Sequence, residues 1–172
     1  MKKILIVVDM QNDFITGSLG SPEAQAIVER VAEKISAFDG DVAATKDTHD
    51  LSYPKTQEGR LLPVAHCAVG TEGWEFPPAV SKALANKAYM PFWKDRFASV
   101  ALGKHVEAGE YEEVHLCGIC TDICVVSNAL LLKASLPETP IYVDASCCAG
   151  TTPEMHKKAL DVMRSCQIIV QE

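Results

Sequence analysis

Short apolar runs alternate along this chain with longer segments of helical periodicity, and that alternation restricts the possible folds more than any other feature. The run KILIVVD at residues 3–9 is continuous and rich in β-branched residues, which is typical of a strand buried on both faces. The same reasoning predicts further strands at 41–47, 88–94, 113–119, 140–146 and 167–170. Helices are predicted between them, at 21–35, 79–87, 97–108, 121–135 and 151–164. This order predicts an α/β fold: a three-layer, doubly wound, Rossmann-like parallel sheet of about six strands.

Length and charge limit the class of protein further. The chain has 172 residues, enough for a single domain over 1–172 with one substantial core. Its formal net charge of -7 argues against a nucleic-acid partner, because such a partner requires a basic face. The first apolar run covers only Ile4–Val8 and ends at Asp9, which is too short for a signal peptide or a membrane span. We therefore expect a cytoplasmic protein with no membrane partner.

The cysteines are the most unusual part of the composition. There are seven of them, at positions 67, 117, 120, 124, 147, 148 and 166. An odd number with no repeated spacing argues against a disulfide framework, so most are expected to be buried free thiols. Cys120 and Cys124 lack the usual zinc-knuckle spacing, and no second pair completes a four-cysteine site.

Ionisable residues follow the ends of four predicted strands. Asp9 ends the first strand, Asp47 and His49 follow the second, Lys94 ends the third, and 120–124 follow the fourth. The carboxyl ends of parallel strands form one edge of a sheet, and the active crevice of such folds lies there. We therefore expect these groups to lie close together.

Cys124 is the candidate nucleophile of this group. It is predicted to lie in the first turn of the helix at 121–135, where free backbone N–H groups and the helix dipole stabilise a thiolate. Asp9 can accept the thiol proton, and Lys94 can keep Asp9 ionised. Taken singly, each residue suits a structural role, as a strand-end cap, a surface lysine or a core thiol. Their joint placement at one edge favours a catalytic site.

Three motifs give the chain a family resemblance. The segments DMQNDF at 9–14, KDRFAS at 94–99 and GICTDICV at 118–125 resemble, in the same order, those of the isochorismatase-like cysteine hydrolases, and within them the nicotinamidase branch. The resemblance implies a catalytic triad of Asp9, Lys94 and Cys124.

The same resemblance implies details of the nucleophile loop. It implies a cis peptide bond between Ile119 and Cys120, and an oxyanion hole formed by the backbone N–H groups of Cys120 and Cys124. Asp122 is interpreted as a structural residue that caps the start of the helix.

A second group of candidates flanks a long loop from about His49 to Pro78. The motif DTH supplies Asp47 and His49, and the motif AHC supplies His66. Mixed histidine and aspartate ligands suit zinc, manganese or iron(II). The family resemblance implies one divalent metal here, with zinc as the first choice. Glu58 is the candidate for a further ligand, because no histidine lies between positions 49 and 66.

The pocket wall departs from the family pattern. Many nicotinamidases have tryptophan after the metal aspartate and an aromatic residue before the last ligand, where this chain has Thr48 and the segment 61–63. The apolar candidates to face a flat ring are therefore Phe14, Leu19, Trp93 and Phe97, with core packing as an equal alternative. The remaining histidines show no partner pattern: His105 and His156 are expected on helix surfaces and His115 in a strand.

The resemblance implies an amidohydrolase that cleaves a small carboxamide, in the first place nicotinamide to nicotinate and ammonia, through a cysteine thioester. Two alternatives stay open. One is a metal-independent hydrolase of another amide or of an N-carbamoyl compound. The other is a redox-sensing or binding protein that uses Cys147-Cys148 or the pair Cys120 and Cys124. Members of the family commonly associate, so a homo-oligomer is expected.

Overall fold

The computed structural model describes residues 1–172 and contains one sheet of six parallel strands. The strand order is β3-β2-β1-β4-β5-β6: the chain adds strands to one side of β1 up to β3 and then to the other side from β4 onward. The predicted fold class is therefore confirmed. The strands are β1 Lys3–Val8, β2 Asp41–Asp47, β3 Met90–Lys94, β4 Glu113–Ile119, β5 Ile141–Ala149 and β6 Ile169–Gln171.

Helices cover both faces of the sheet. On one side α2 packs against α4, and on the other α6 packs against α5 and α7. None of the helices combines the length and the apolar composition needed to cross a bilayer. The helices are α1 Asn12–Ile15, α2 Pro22–Ala37, α3 Gln57–Leu61, α4 Pro78–Asn86, α5 Val100–Ala108, α6 Val126–Ser135 and α7 Pro153–Ser165.

Side-chain caps fix where the main helices begin. Ser21 Oγ accepts a hydrogen bond from the backbone N–H of Ala24 at 3.1 Å, with proline at the first position of α2. Thr152 caps α7 in the same way. Helix α5 begins three residues later than predicted, because Ser99 caps it and leaves 97–99 outside the helix.

Burial follows the position of each strand in the sheet. Every residue of Ile4–Val8 is fully buried, as expected for a central strand covered on both faces. The edge strand β3 instead alternates between more and less exposed residues, and Pro91 is tolerated there because an edge strand leaves backbone groups unpaired.

Two segments differ from the prediction. The helix predicted at 121–135 is divided into a π-helical turn at Thr121–Val125, which we call the nucleophile turn, and α6. In this turn the carbonyl of Cys120 accepts from the N–H of Val125, a wider ring than the α-helical one. The long loop contains α3 and short 3₁₀ turns at Tyr53–Lys55 and Glu72–Trp74.

Candidate active site

The carboxyl ends of β1, β2, β3 and β4 bring the predicted ionisable groups together. Lys94 Nζ lies 2.6 Å from Asp9 Oδ2, 3.5 Å from Asp47 Oδ1 and 3.6 Å from Cys124 Sγ. Asp9, Lys94 and Cys124 are all buried. The side chains that lie far apart in the sequence thus meet in one crevice at the predicted edge.

Asp9 is held in a fixed orientation. The hydroxyl of Thr45 donates a hydrogen bond of 2.6 Å to Asp9 Oδ1. Apart from the ion pair with Lys94, Asp9 Oδ2 has no hydrogen-bond partner. The backbone of Asp9 has φ of 47°, a left-handed conformation that is uncommon outside glycine and often marks functional sites. Oδ2 accepts no hydrogen bond from a neutral group, so it is the oxygen of Asp9 that is available to take up a proton.

The charges of the crevice work against an anionic sulfur at rest. Burial raises the pKa of Cys124, the nearby carboxylate of Asp9 raises it further, and Lys94 opposes both only in part. Desolvation therefore acts against the stabilisation of a thiolate that is expected from the start of a helix. Burial also raises the pKa of Asp9, against the charge of Lys94. The thiol and the carboxylate are thus arranged to exchange one proton.

Lys94 stays protonated despite its burial. Desolvation alone would lower its pKa, but the charges of Asp9, Cys124 and Asp47 together raise it. A permanent cation beside the sulfur stabilises negative charge that develops there during a reaction.

The loop before the nucleophile turn approaches β1 closely. The peptide bond between Ile119 and Cys120 is cis, as expected. Gly118 has φ of 119°, and a Cβ at this position would lie 2.1 Å from the carbonyl oxygen of Val8. Only glycine permits this approach, which brings the cysteine segment next to Asp9.

Side chains from two other elements hold the nucleophile turn. Asn128 Nδ2 donates to the carbonyl of Cys124 at 2.8 Å. The carboxylate of Asp122 accepts from the N–H and the hydroxyl of Thr151, at 2.8 and 2.6 Å. The prediction that Asp122 caps the start of its own helix is therefore wrong. Its carboxylate instead connects the nucleophile turn to the loop before α7.

The four predicted metal ligands form a second cluster beside the first. The candidate ligand atoms of Asp47, His49, Glu58 and His66 all lie within 4.8 Å of one another. Asp47 Oδ2 lies 2.8 Å from His49 Nε2 and 3.3 Å from His66 Nε2. Glu58 Oε1 lies 3.8 and 3.9 Å from the same two nitrogen atoms.

The chemistry of this cluster suits a divalent metal. His66 Nδ1 lies 2.8 Å from the carbonyl of Val64, to which only an N–H can donate, so the Nε2 lone pair faces the cluster. Burial raises the pKa of Asp47, but the nearby imidazoles of His49 and His66 and the charge of Lys94 together lower it below the usual range. Two imidazoles and two carboxylates form a donor set that zinc, manganese and iron(II) all accept.

Tyr53 supports the two imidazole rings. Its ring centroid lies 4.5 Å from that of His49 and 5.1 Å from that of His66. Its hydroxyl donates to the carbonyl of Leu62 at 2.9 Å, and burial raises its pKa to about 12. The tyrosine therefore stays neutral and connects both histidines to the loop that carries Glu58.

Two positioning residues were missed in the sequence, although both lie in the DMQNDF motif. Gln11 is fully buried; its Oε1 accepts from the N–H of Asp47 at 2.7 Å, and its Nε2 donates to the Asp47 carbonyl at 2.8 Å. Asp13 Oδ2 accepts from the N–H of Cys67 at 2.7 Å, next to His66. Polar side chains directly after a buried strand were the signal that could have identified them.

A cavity of about 410 Å³ joins the two clusters. Phe14, Leu19 and Phe97 line it, as predicted from the sequence, although their contact with a substrate stays a prediction. The other lining residues are Gly20, Ser21, Ala24, Asp47, Glu58, Leu62, His66, Ile119, Cys120, Ile123, Cys124, Gly150 and Thr151.

Trp93 does not line this cavity, contrary to the prediction. Neighbouring residues of a strand point to opposite faces, so the inward direction of Lys94 sends Trp93 outward. Trp93 is 62% exposed and packs edge-on against Trp74, with ring centroids 5.2 Å apart. The indole N–H of Trp74 donates to Thr48 Oγ1 at 2.9 Å, directly after the metal-site aspartate.

His156 also differs from the prediction of a surface histidine without a partner. It is half-buried, and its Nδ1 lies 2.8 Å from Thr121 Oγ1 in the nucleophile turn. The ring of His105 packs against that of Phe92 at a tilt, with centroids 5.4 Å apart, and its Nε2 is buried without a hydrogen-bond partner. His115 lies in β4 as predicted.

Comparison with known proteins gives consistent matches over the whole chain. The family model described as isochorismatase domain matches residues 3–172. The crystal structure of nicotinamidase/pyrazinamidase PncA from Bacillus subtilis superposes with a TM-score of 0.89 at 31% identity, covering 100% of both chains. The nicotinamidase/pyrazinamidase of Mycobacterium tuberculosis is 29% identical over 183 residues, covering 96% of each chain. The pyrazinamidase of Pyrococcus horikoshii, solved in complex with zinc, has a TM-score of 0.83 at 27% identity, covering 100% of this chain and 99% of that one.

Proposed function

The chain belongs to the isochorismatase family, as its three motifs predicted, and we propose that it is a cysteine amidohydrolase that converts nicotinamide to nicotinate and ammonia. The observation that carries this proposal is the meeting of Cys124 with the Lys94–Asp9 ion pair beside the cluster of Asp47, His49, Glu58 and His66. Relatives that match nearly the whole chain carry the name nicotinamidase or pyrazinamidase.

The first half of the reaction forms a thioester. Asp9 takes the proton of the Cys124 thiol, and the sulfur attacks the carboxamide carbon. The backbone N–H groups of Cys120 and Cys124 donate hydrogen bonds to the carbonyl oxygen and stabilise the negative charge that develops on it. The C–N bond then breaks, and protonated Asp9 gives its proton to the leaving nitrogen, which departs as ammonia.

The second half releases the acid. Asp9, ionised again, takes a proton from a water molecule, and the resulting hydroxide attacks the thioester carbon. The C–S bond breaks, the proton on Asp9 returns to the sulfur, and the nicotinic acid that forms loses its own proton to solvent and leaves as nicotinate. Throughout this cycle Lys94, 3.6 Å from the sulfur, favours the ionised state of whichever group has lost the proton.

The second cluster supplies the binding site for the ring. We propose that Asp47, His49, Glu58 and His66 hold one divalent metal, with zinc first and manganese or iron(II) as alternatives. When bound, the metal would act as a Lewis acid toward the pyridine nitrogen. Phe14, Leu19 and Phe97 then form the apolar wall around the ring.

The two alternatives receive less support from the structure. A metal-independent hydrolase has no use for four converging metal donors, two of them buried histidines. A redox sensor requires accessible, low-pKa thiols, whereas Cys147 and Cys148 are buried and burial raises the pKa of both.

The proposal is tested by an ammonia-release assay with nicotinamide, pyrazinamide, benzamide and an N-carbamoyl amino acid. We expect turnover of the two ring amides that carry a ring nitrogen meta to the carboxamide, and its loss after the metal is chelated. Benzamide, which lacks this nitrogen, is the matched control and should react poorly. Turnover of the N-carbamoyl compound alone, unaffected by chelation, would replace the proposal with the metal-independent alternative.

Two properties of the molecule belong to the same proposal. We expect a homo-oligomer and a cytoplasmic location, as for other small hydrolases of this family. Sedimentation analysis of the purified chain and fractionation of cells test these expectations.

A further inference from the structure

A buried hydroxyl lies inside the nucleophile turn. Thr121 is fully buried, and its Oγ1 lies 2.8 Å from Nδ1 of His156 on α7. A buried hydroxyl without a partner destabilises a protein, so this contact satisfies an obligatory requirement of the turn. The mechanism described above makes no use of either side chain.

The position of Thr121 connects this contact to the chemistry. Thr121 directly follows Cys120 and lies three residues before Cys124. The carbonyl of Cys120 accepts from the N–H groups of Ile123 and Val125, both at 3.1 Å, so hydrogen bonds within the turn join its residues to one another. A rotation at Thr121 therefore re-aims the two backbone N–H groups assigned to the oxyanion.

Helix α7 provides a rigid support for this contact. A Cβ at Gly150 would lie 2.8 Å from the backbone nitrogen of His156 and 2.9 Å from Asp122 Oδ1, so the loop, the helix and the turn are in close contact. The carboxylate of Asp122 also binds Thr151 in that loop. The imidazole thus projects from a segment that is fixed to the turn at a second point.

We propose that His156 is a positioning residue for the nucleophile turn and acts through Thr121 on the oxyanion donors. The inference rests on the proposed amidase function. Stabilisation by such donors is realised mainly in the transition state, so a misplaced donor lowers kcat more than it changes KM. The burial that lowers the pKa of His156 keeps the ring neutral at neutral pH, so the shared hydrogen bond carries no charge.

The test compares four variants. His156→Leu removes the hydrogen-bond partner of Thr121. His156→Asn keeps a polar atom that is separated from the backbone by the same number of covalent bonds as Nδ1. The double variant Thr121→Val/His156→Leu removes both polar partners, which restores stability when an unpaired hydroxyl is the only defect. His105→Leu on α5 is the control, because His105 contacts Phe92 and does not line the cavity.

Steady-state kinetics are measured with nicotinamide as substrate, and hydrogen–deuterium exchange is measured without it. We expect His156→Leu to lower kcat by about tenfold or more with KM little changed, His156→Asn to recover most of it, and the double variant to stay slow. Hydrogen–deuterium exchange of residues 118–126 should be faster in His156→Leu, slower again in His156→Asn, and unchanged in His105→Leu.

The outcomes separate the inference from the function on which it rests. Activity of the double variant that recovers together with its stability would reduce His156 to a structural residue and overturn the inference. Unchanged kcat and unchanged exchange in His156→Leu would do the same. Wild-type protein that releases no ammonia would instead refute the proposed function, while the exchange experiment would still decide whether His156 holds the turn.

Discussion

Lys94 Nζ lies 2.6 Å from Oδ2 of Asp9, and both side chains are almost completely removed from water. Removing one partner of a buried ion pair strongly destabilises a protein, because the remaining charge lies in surroundings that solvate it poorly. This pair therefore links the stability of the fold to the chemistry of the site.

The first prediction concerns that stability. Lys94→Met should lower the free energy of unfolding by about 3–5 kcal/mol, because it leaves the Asp9 carboxylate buried and unpaired. Urea denaturation measures the change. Adding Asp9→Asn to this variant should recover part of the loss. As a control, Arg96→Met breaks the exposed pair with Asp95 and should leave the midpoint unchanged.

The pH dependence of activity follows from the position of Asp9. The carboxylate must be ionised to take the thiol proton, so activity rises as pH rises through its pKa, which burial raises. The acid limb of kcat/KM should therefore lie above the ordinary aspartate value of about 3.9. Asp144→Asn, whose residue does not line the cavity, should leave this limb in place. A limb at or below the ordinary value would contradict the raised pKa of Asp9.

Metal content tests the second cluster without reference to activity. We expect about one equivalent of a divalent first-row metal per chain in the purified protein. His66→Ala should lose most of it, because it removes one of four donors. His115→Ala is the control, since His115 contacts Glu113 and Tyr142 instead. Equal metal content in all three proteins would contradict the assignment of this cluster as the metal site.

Tyr53 should influence metal affinity without touching the metal. Tyr53→Phe keeps the ring against His49 and His66 and loses only the hydrogen bond to Leu62, so metal affinity should change little. Tyr53→Leu removes the ring support and should weaken affinity by about 10- to 100-fold, as for other outer-shell changes. Competition with a chromophoric chelator measures both. Equal affinity in the two variants would show that the ring does not orient the histidines.

Much of the fold and the catalytic group was predictable from the sequence for one physical reason. Parallel strands place their carboxyl ends at one edge, so Asp9, Asp47 and Lys94 could be brought together without knowing any long-range contact. The continuous apolar run at 3–9 identified the central strand because a strand covered on both faces shows no alternation.

The errors have equally specific causes. Trp93 was predicted to line the pocket as an apolar residue that could face a flat ring, but it adjoins Lys94 in β3, and adjacent residues of a strand face opposite ways. The partner of His156 lies 35 residues away, beyond any local pattern. The environment of Cys124 was only partly predictable, because the helix position can be inferred from the sequence, whereas the desolvation that raises the pKa of Cys124 depends on packing.

The central claim is that the Cys124 sulfur attacks the substrate, while Cys120 contributes only its backbone. The most direct measurement is ammonia release from nicotinamide by Cys124→Ala and Cys120→Ala, prepared with equal metal content. We predict that Cys124→Ala has no detectable turnover and that Cys120→Ala stays active at a reduced rate, since alanine keeps the backbone N–H. Equal losses in the two variants, or turnover by Cys124→Ala, would contradict the account.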